Sequence, residues 1–305
     1  MPDQKWTNLF RGAFAFIAGA FLFAFSTVLI KIVSQPPYAL HPLMAVFARF
    51  GIGFVATLAW AVWQRTDLRP NNVSLVIWRG VLNTAAVSLF YCAVQFTTVT
   101  NTNLLNLSYP AWIFLAAPLV NREGSPWYYG LFLMLTLAGA FLIVVPAATH
   151  GNWLDFFTQG FNLGDIMALA SGIVAAFGIS VLREARKHDG TITVIFWLFG
   201  IGTLASLVPA LLVWKQPPDA FAWICLLGAG ACGYVGQLLI THGYRWVSAT
   251  EGSLLSSSGI LISALLGVAF FADPVTLPVI GGGLCILVSL IGVSGIIPDP
   301  RKRRG

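Results

Sequence analysis

Charge is what this sequence has least of. Only 9% of its 305 residues are Asp, Glu, Lys or Arg, against roughly a quarter in a soluble domain, too little polar surface to coat a water-soluble globule. Acids are the scarcer sign. All eleven, Asp3, Asp67, Glu123, Asp155, Asp165, Glu184, Asp189, Asp219, Glu251, Asp273 and Asp299, fall in loops or at the ends of apolar runs. No carboxylate therefore sits at midspan, where a proton relay built on a central acid needs one. Cysteine is sparse: Cys92, Cys225, Cys232 and Cys285 lie inside apolar runs without metal-ligand spacing and read as small core residues, so no metal or other cofactor is expected. There is no His-x-x-x-His, no Cys-x-x-Cys and no Ser/His/acid set held in one layer, which argues against a membrane-embedded enzyme. No pore-filter sequence appears, which argues against a channel. Period-two alternation is missing from the apolar runs, which excludes a barrel.

What the chain has is apolar length. Hydrophobic residues make up 57% of it, and the mean hydropathy is +0.81. Because no water or lipid satisfies a bare backbone group in the hydrocarbon core, runs of roughly 20 apolar residues are helices. The fold class is all-α integral membrane, with spans near 12–33, 42–63, 75–95, 99–120, 127–147, 162–183, 192–213, 220–241, 250–271 and 276–297. The first run follows Lys5 and Arg11 as a signal peptide would, but it reaches about Ile30 without an Ala-x-Ala-like site and is kept as a span. Cations set the orientation. With the N-terminus inside, Lys5, Arg11, Arg65, Arg69, Arg79, Arg122, Arg183, Arg186, Lys187, Arg245 and the tail Arg301–Arg304 lie in cytoplasmic segments, and the other side keeps only Lys215. Lys31 and Arg49 are inside helices. Both termini are thus expected in the cytoplasm of a bacterial inner-membrane protein. The basic tail reads as a topology anchor rather than a nucleic-acid patch.

The segment 148–161 is the one connection of real length and reads as a periplasmic linker between residues 1–147 and 162–305. Sliding the sequence by 150 residues superposes the spans of the two halves, with Gly80 on Gly230, Leu89 on Leu239, Thr100 on Thr250 and Glu123 on Asp273. Five spans per half is odd, so the second half enters facing the other way: ten transmembrane helices as two inverted five-helix repeats. Such halves can rock about a midplane site and open it to either side in turn.

Several pairs resemble one family. Arg49–Phe50 stands in the second span; Arg79–Gly80 opens the third and Phe90–Tyr91 nears its end; Tyr109–Pro110 precedes a run closing at Glu123. In the second half Gly164–Asp165 opens the sixth span, Gln237 sits late in the eighth, and Ala272–Asp273–Pro274–Val275–Thr276 follows the ninth. In their order and spacing these resemble the drug/metabolite transporter superfamily, in its ten-helix EamA branch. The resemblance implies a central cavity between two five-helix units and movement of amino acids, nucleotide-like compounds or other metabolites. Gly259, where the branch often has proline, and the polar cluster Asn101, Asn103 and Asn106 depart from the pattern at the expected pocket, so no relative's substrate carries over.

Candidate site residues follow from polarity inside spans. Arg49, seven residues inside the second span, is either an anchor for a carboxylate or phosphate, which suits a guanidinium fork, or a structural donor to a neighbouring helix. Asn103 and Asn106 are spaced toward Pro110, with Tyr109 adjacent, so amides and a phenol meet a break in the backbone ladder. Trp112 offers a stacking face. The alternative there is interhelical amide bonding. Asn83 and Tyr91 of the third span, Gln237 of the eighth, and Ser256 and Ser257 of the ninth complete the expected lining. His242 and Glu251 are the coupling candidates, against structural readings as a helix-end donor and a helix N-terminal charge. The expected function is alternating access of a carboxylate-bearing or zwitterionic metabolite, with a nucleotide-like or riboflavin-like aromatic solute as the alternative. The expected partners are the solute and the lipid bilayer, with no nucleic acid. The working unit is a monomer, or else a dimer.

Overall fold

The computed structural model describes residues 2–96, 105–106, 108–122, 126–148, 162–271 and 275–293. Among them the regular structure is helical throughout: α1 (Pro2–Ser34), α2 (Pro42–Trp63), α3 (Val73–Phe96), α4 (Tyr109–Val120), α5 (Tyr129–Ala148), α6 (Leu163–His188), α7 (Thr191–Leu212), α8 (Ala220–Gly243), α9 (Ala249–Ser256), α10 (Ser258–Phe271) and α11 (Leu277–Val293). Local chemistry sets the ends. The side chains of Asn162 and Ser248 cap α6 and α9 in reciprocal boxes with Asp165 and Glu251. Asp219 caps α8, and His41 with Pro42 opens α2. Arg186, Lys187 and His188 close α6, where the helix dipole favours cations.

Among the described residues, seven stretches are long and apolar enough to cross a membrane, and Tyr109–Val120, Tyr129–Ile143 and Leu277–Val293 are shorter apolar helices. Size is sorted inside out. Leu119, Leu212 and Leu277 are each more than 80% exposed, and Phe10, Trp63 and Trp127 also face outward, while much of the interior is Ala, Gly, Ser and Thr. An apolar exterior of this kind belongs in lipid, and the chain is a multi-pass membrane protein.

Small residues inside let helix backbones touch. A Cβ on Gly139 of α5 would stand 2.6 Å from the carbonyl oxygen of Gly282 on α11, and one on Gly282 would stand 2.5 Å from that of Gly139. Gly19 of α1 and Gly236 of α8 approach each other in the same reciprocal way. The most extensive packing joins α1 to α8, α3 to α6, α5 to α11 and α2 to α7. Behind these come α2 with α8, α3 with α7, α4 with α6, and α1 with α10.

Two predicted spans are interrupted. In the fourth, Ser108 forms a turn between helical residues 105–106 and α4. Pro110 has no N–H to offer the Asn106 carbonyl, and the Ser108 hydroxyl donates to the Leu105 carbonyl at 2.6 Å. The ninth, expected as one helix over 250–271, divides at Ser257 into α9 and α10. No proline does this. The Ser253, Ser256 and Ser257 hydroxyls each bond a carbonyl three or four residues back, and the Ser257 amide turns to Leu254, the kind of competition that bends helices.

Connections are tied across the bundle. Asn71 Nδ2 donates to the His188 carbonyl at 2.8 Å and its backbone N–H to the Asp189 carboxylate, joining the α2–α3 loop to the α6–α7 turn. Lys215 donates to the Tyr38 carbonyl at 2.9 Å, joining the α7–α8 loop to the α1–α2 loop. Because the glycine contact between α5 and α11 leaves no room for a side chain, Gly139→Val is expected to lower stability by about 1–3 kcal/mol, read as an earlier thermal unfolding midpoint in detergent. An unchanged midpoint would show that the two helices do not touch there.

Candidate solute-binding site

Two arginines enter the interior from different helices. Arg49 on α2 lays its guanidinium over the Phe23 ring of α1, 4.7 Å from the centroid, a stacking contact that a desolvated cation favours. Room for its stem comes from Gly233 of α8, where a Cβ would lie 3.0 Å from Arg49 Cδ. Arg79 on α3 is only 4% exposed. It runs beside Gly178 of α6, where a Cβ would lie 3.2 Å from its Nη1, and its Nε is buried with no hydrogen-bond partner.

Tyr244 stands in the turn between α8 and α9, 1% exposed, its ring edge-on to Phe16 at 4.9 Å and its hydroxyl without a hydrogen-bond partner. Burial first and the nearby Tyr109 second push that hydroxyl above its ordinary range against the pull of Arg79 and Arg183, so it stays a neutral donor. Tyr109 is the first residue of α4, and Ser256 is the last residue of α9. Ser256 itself donates to the Gly252 carbonyl at 2.8 Å, which leaves its oxygen free to accept. Arg49, Arg79, Tyr244, Tyr109 and Ser256 are the polar groups that α2, α3, the α8–α9 turn, α4 and α9 contribute to this set. Tyr109 and Ser256 stand next to the two interruptions, at Ser108 and Ser257.

Other predicted site residues have local partners. Asn106 donates its amide to Ser171 of α6 at 2.8 Å, and Ser171 donates to the Ala86 carbonyl of α3 at 3.0 Å. The Trp112 indole N–H goes to Ser108 at 3.1 Å. Gln237 donates to Thr241 at 3.2 Å along its own helix, and Ser257 to the Ser253 carbonyl at 3.3 Å. Asn83 is half-buried, with its backbone N–H near Gly178. Glu251 accepts from the Ser248 N–H within the capping box and from the Tyr129 hydroxyl at 2.9 Å. His242 meets the Thr191 hydroxyl at 3.3 Å and the Trp246 ring at 4.5 Å. Asn103 and the side chain of Tyr91 lie outside the described residues.

The structure corrects the counting of cations. Arg79, taken from sequence as a cytoplasmic-segment cation, is buried within α3, whose helix starts six residues earlier at Val73. Arg186 is likewise 8% exposed, bonded to the Thr241 and Asp189 carbonyls. Sequence reasoning missed Arg79 and Tyr244 as members of the polar cluster. The available signal for Arg79 was the polar stretch 64–72, which places the helix start well before it. An apolar groove of 480 Å³ on the flank of α2 and α8, with Ala48, Ile52, Trp223 and Leu227 among its walls, carries no charged side chain and is separate from this cluster.

The sequence matches the EamA-like transporter family over residues 10–145 and again over 162–295. The chain belongs to that family. As an EamA-like transporter it is a membrane carrier protein of the drug/metabolite transporter superfamily, not an enzyme. It is 24% identical over 291 residues to the human solute carrier family 35 member G1, covering 93% of this chain and 78% of that one. It is 23% identical over 286 residues to the pseudopaline exporter CntI of Pseudomonas aeruginosa, covering 93% and 95%. A crystal structure 14% identical in sequence superposes with a TM-score of 0.78 over 96% of this chain and 99% of the other, which shows the shared fold.

Asn106 separates two roles for the amides of this EamA-like transporter. As a strut to Ser171, Asn106→Ala costs about 1–2 kcal/mol, and its effect is non-additive with Ser171→Ala in a double-mutant cycle of thermal unfolding. Additive, negligible effects on stability would instead assign the amide to solute.

Proposed function

We propose that the protein is a secondary carrier that moves a small carboxylate-bearing or zwitterionic metabolite by alternating access about the polar cluster of Arg49, Tyr109, Tyr244 and Ser256. The observation that carries this reading is the pair of interruptions at Ser108 and Ser257, 149 residues apart and so at matching places in the two halves. Interrupted helices in corresponding positions are where carriers hold solute, because unwound backbone is tolerated in a membrane only where it faces protein or a polar cavity.

Ten crossings as two inverted five-helix repeats, over 1–147 and 162–305 with 148–161 as periplasmic linker, follow from the same reading. Helix packing supports it: exchanging each span of the first half with its partner in the second turns the α1–α8 contact into α6–α3, α2–α8 into α7–α3, and α1–α10 into α6–α4. The family match, found once in each half, supports it too. The ties between connections join only loops that strict alternation puts on one side: 1–2 with 7–8 by Tyr38 and Lys215, and 2–3 with 6–7 by Asn71 and His188. Positive charge in the 2–3, 6–7 and 8–9 connections favours cytoplasmic termini in a bacterial inner membrane. The Pseudomonas relative named as an exporter supports outward movement. A single copy supplies every member of the cluster, so the working unit is a monomer.

Arg49 is the anchor in this scheme. In proteoliposomes the wild type is expected to show saturable flux and counterflow of a carboxylate-bearing solute, and Arg49→Ala to abolish it while the unfolding transition remains cooperative. Unchanged counterflow in the variant would remove Arg49 from the site, and covalent change of the solute would overturn the carrier mechanism.

A further inference from the structure

The apolar groove on the flank of α2 and α8 holds 480 Å³. Its lining follows α2 from Met44 to Ala59, about 22 Å at the rise of a helix. That carries it from one end of the bundle past the middle of a hydrocarbon core about 30 Å thick, the reach of an extended acyl chain rather than of a compact solute. The fold itself keeps the groove open. A Cβ on Gly230 of α8 would lie 2.5 Å from Ile52 Cδ1 and 3.2 Å from the Ala48 carbonyl oxygen, so the two helices are locked together at that crossing. At Gly51, on the groove, a Cβ would meet no atom within 4 Å.

Apolar contact alone favours no lipid over another, because lipid tails are as apolar as leucine. Selectivity has to come from the end of the groove. There the walls include Trp214 and Trp223, side chains of the kind that sit at headgroup level. Each is tied to a charge. Lys215 follows Trp214, and its backbone N–H meets Met44 Sδ at 3.5 Å, at the mouth of the groove. Its exposed ammonium gives one N–H to the Tyr38 carbonyl at 2.9 Å, with two more to give. On the other wall the Asp219 carbonyl accepts from the Trp223 N–H at 3.3 Å, and the exposed Asp219 side chain caps α8 through Oδ1. A cation and an anion therefore flank one apolar slot, the complement of a headgroup that carries a phosphate and an ammonium.

We infer that this groove binds one zwitterionic aminophospholipid, its acyl chain laid along α2 past Gly51, its phosphate toward Lys215 and its primary ammonium toward Asp219. The site is separate from the polar cluster and does not depend on the carrier reading. A lipid with an anionic glycerol headgroup leaves Asp219 facing no cation, and one with a quaternary ammonium has no N–H to donate.

The test uses the full-length protein in detergent, washed free of lipid and titrated with phosphatidylethanolamine, phosphatidylglycerol or phosphatidylcholine of identical acyl chains, the bound lipid being counted by native mass spectrometry. One phosphatidylethanolamine per chain is expected, with each of the others binding about 2- to 5-fold more weakly, the ratio for losing one exposed charged contact. Gly51→Leu fills the slot and is expected to lose the lipid. Gly281→Leu on α11, where a Cβ likewise meets no atom within 4 Å, is the control and is expected to keep it. Lys215→Gln is expected to weaken all three lipids alike. Asp219→Asn, which preserves the cap, is expected to erase the preference for phosphatidylethanolamine. The headgroup series on the wild type decides the matter even where a variant does not fold. No retained lipid, a headgroup order without phosphatidylethanolamine first, or undiminished binding in Gly51→Leu would each overturn the inference. So would a dimer that Gly51→Leu dissociates, since the groove would then belong to a second copy of the chain.

Discussion

A polar group inside this bundle has no water to fall back on, and the arrangement of the whole chain follows from finding each of them a partner. Backbone groups find theirs within helices. Helix ends borrow side chains: Asn162 and Ser248 at the starts of α6 and α9, and Arg183 and Arg186 on the last carbonyls of α8. Side-chain hydroxyls turn back on their own helices, as Thr57 does to Gly53 and Thr203 to Phe199. Against this background, Arg79 Nε and the Tyr244 hydroxyl are among the few buried side-chain atoms left without a hydrogen-bond partner.

The same absence of water changes what holds helices to one another. Lipid tails are as apolar as leucine, so contact between helices has to come from close fit and a few internal hydrogen bonds. The chain meets this with glycine at backbone-to-backbone crossings, Gly139 on Gly282 and Gly19 on Gly236, and with buried bonds such as Thr136 to Ser289 at 2.7 Å. Large side chains are left for the outside. Close crossings keep α5 with α11 and α1 with α8, while α4 and α9 are short segments beside interruptions. These short segments are the ones that carry Tyr109 and Ser256.

Much of this was legible beforehand. Hydropathy located the spans because crossing length is a property of consecutive residues, and Pro110 announced the interruption of the fourth span because a missing N–H is local chemistry. The capping reading of Glu251 was available from Ser248 three residues before it. The interruption of the ninth span at Ser257 was hidden. No proline marks it, and serine hydroxyls bend a helix or leave it straight according to what packs on the other side. Gln237 and His242, both read as site candidates on the eighth span, turn to different neighbours, Thr241 and Thr191, because five residues along a helix point them in different directions.

The sequence by itself determined the helical class, the membrane setting and the family, since each depends on composition or on order along the chain. Tertiary structure alone decided which polar residues are spent and which remain. Asn106 is taken up by Ser171, sixty-five residues away, whereas Arg79, counted from sequence among the cytoplasmic anchors, lies beneath α6 at Gly178. A side chain's solvation depends on the helices that close over it, and those arrive from distant parts of the chain.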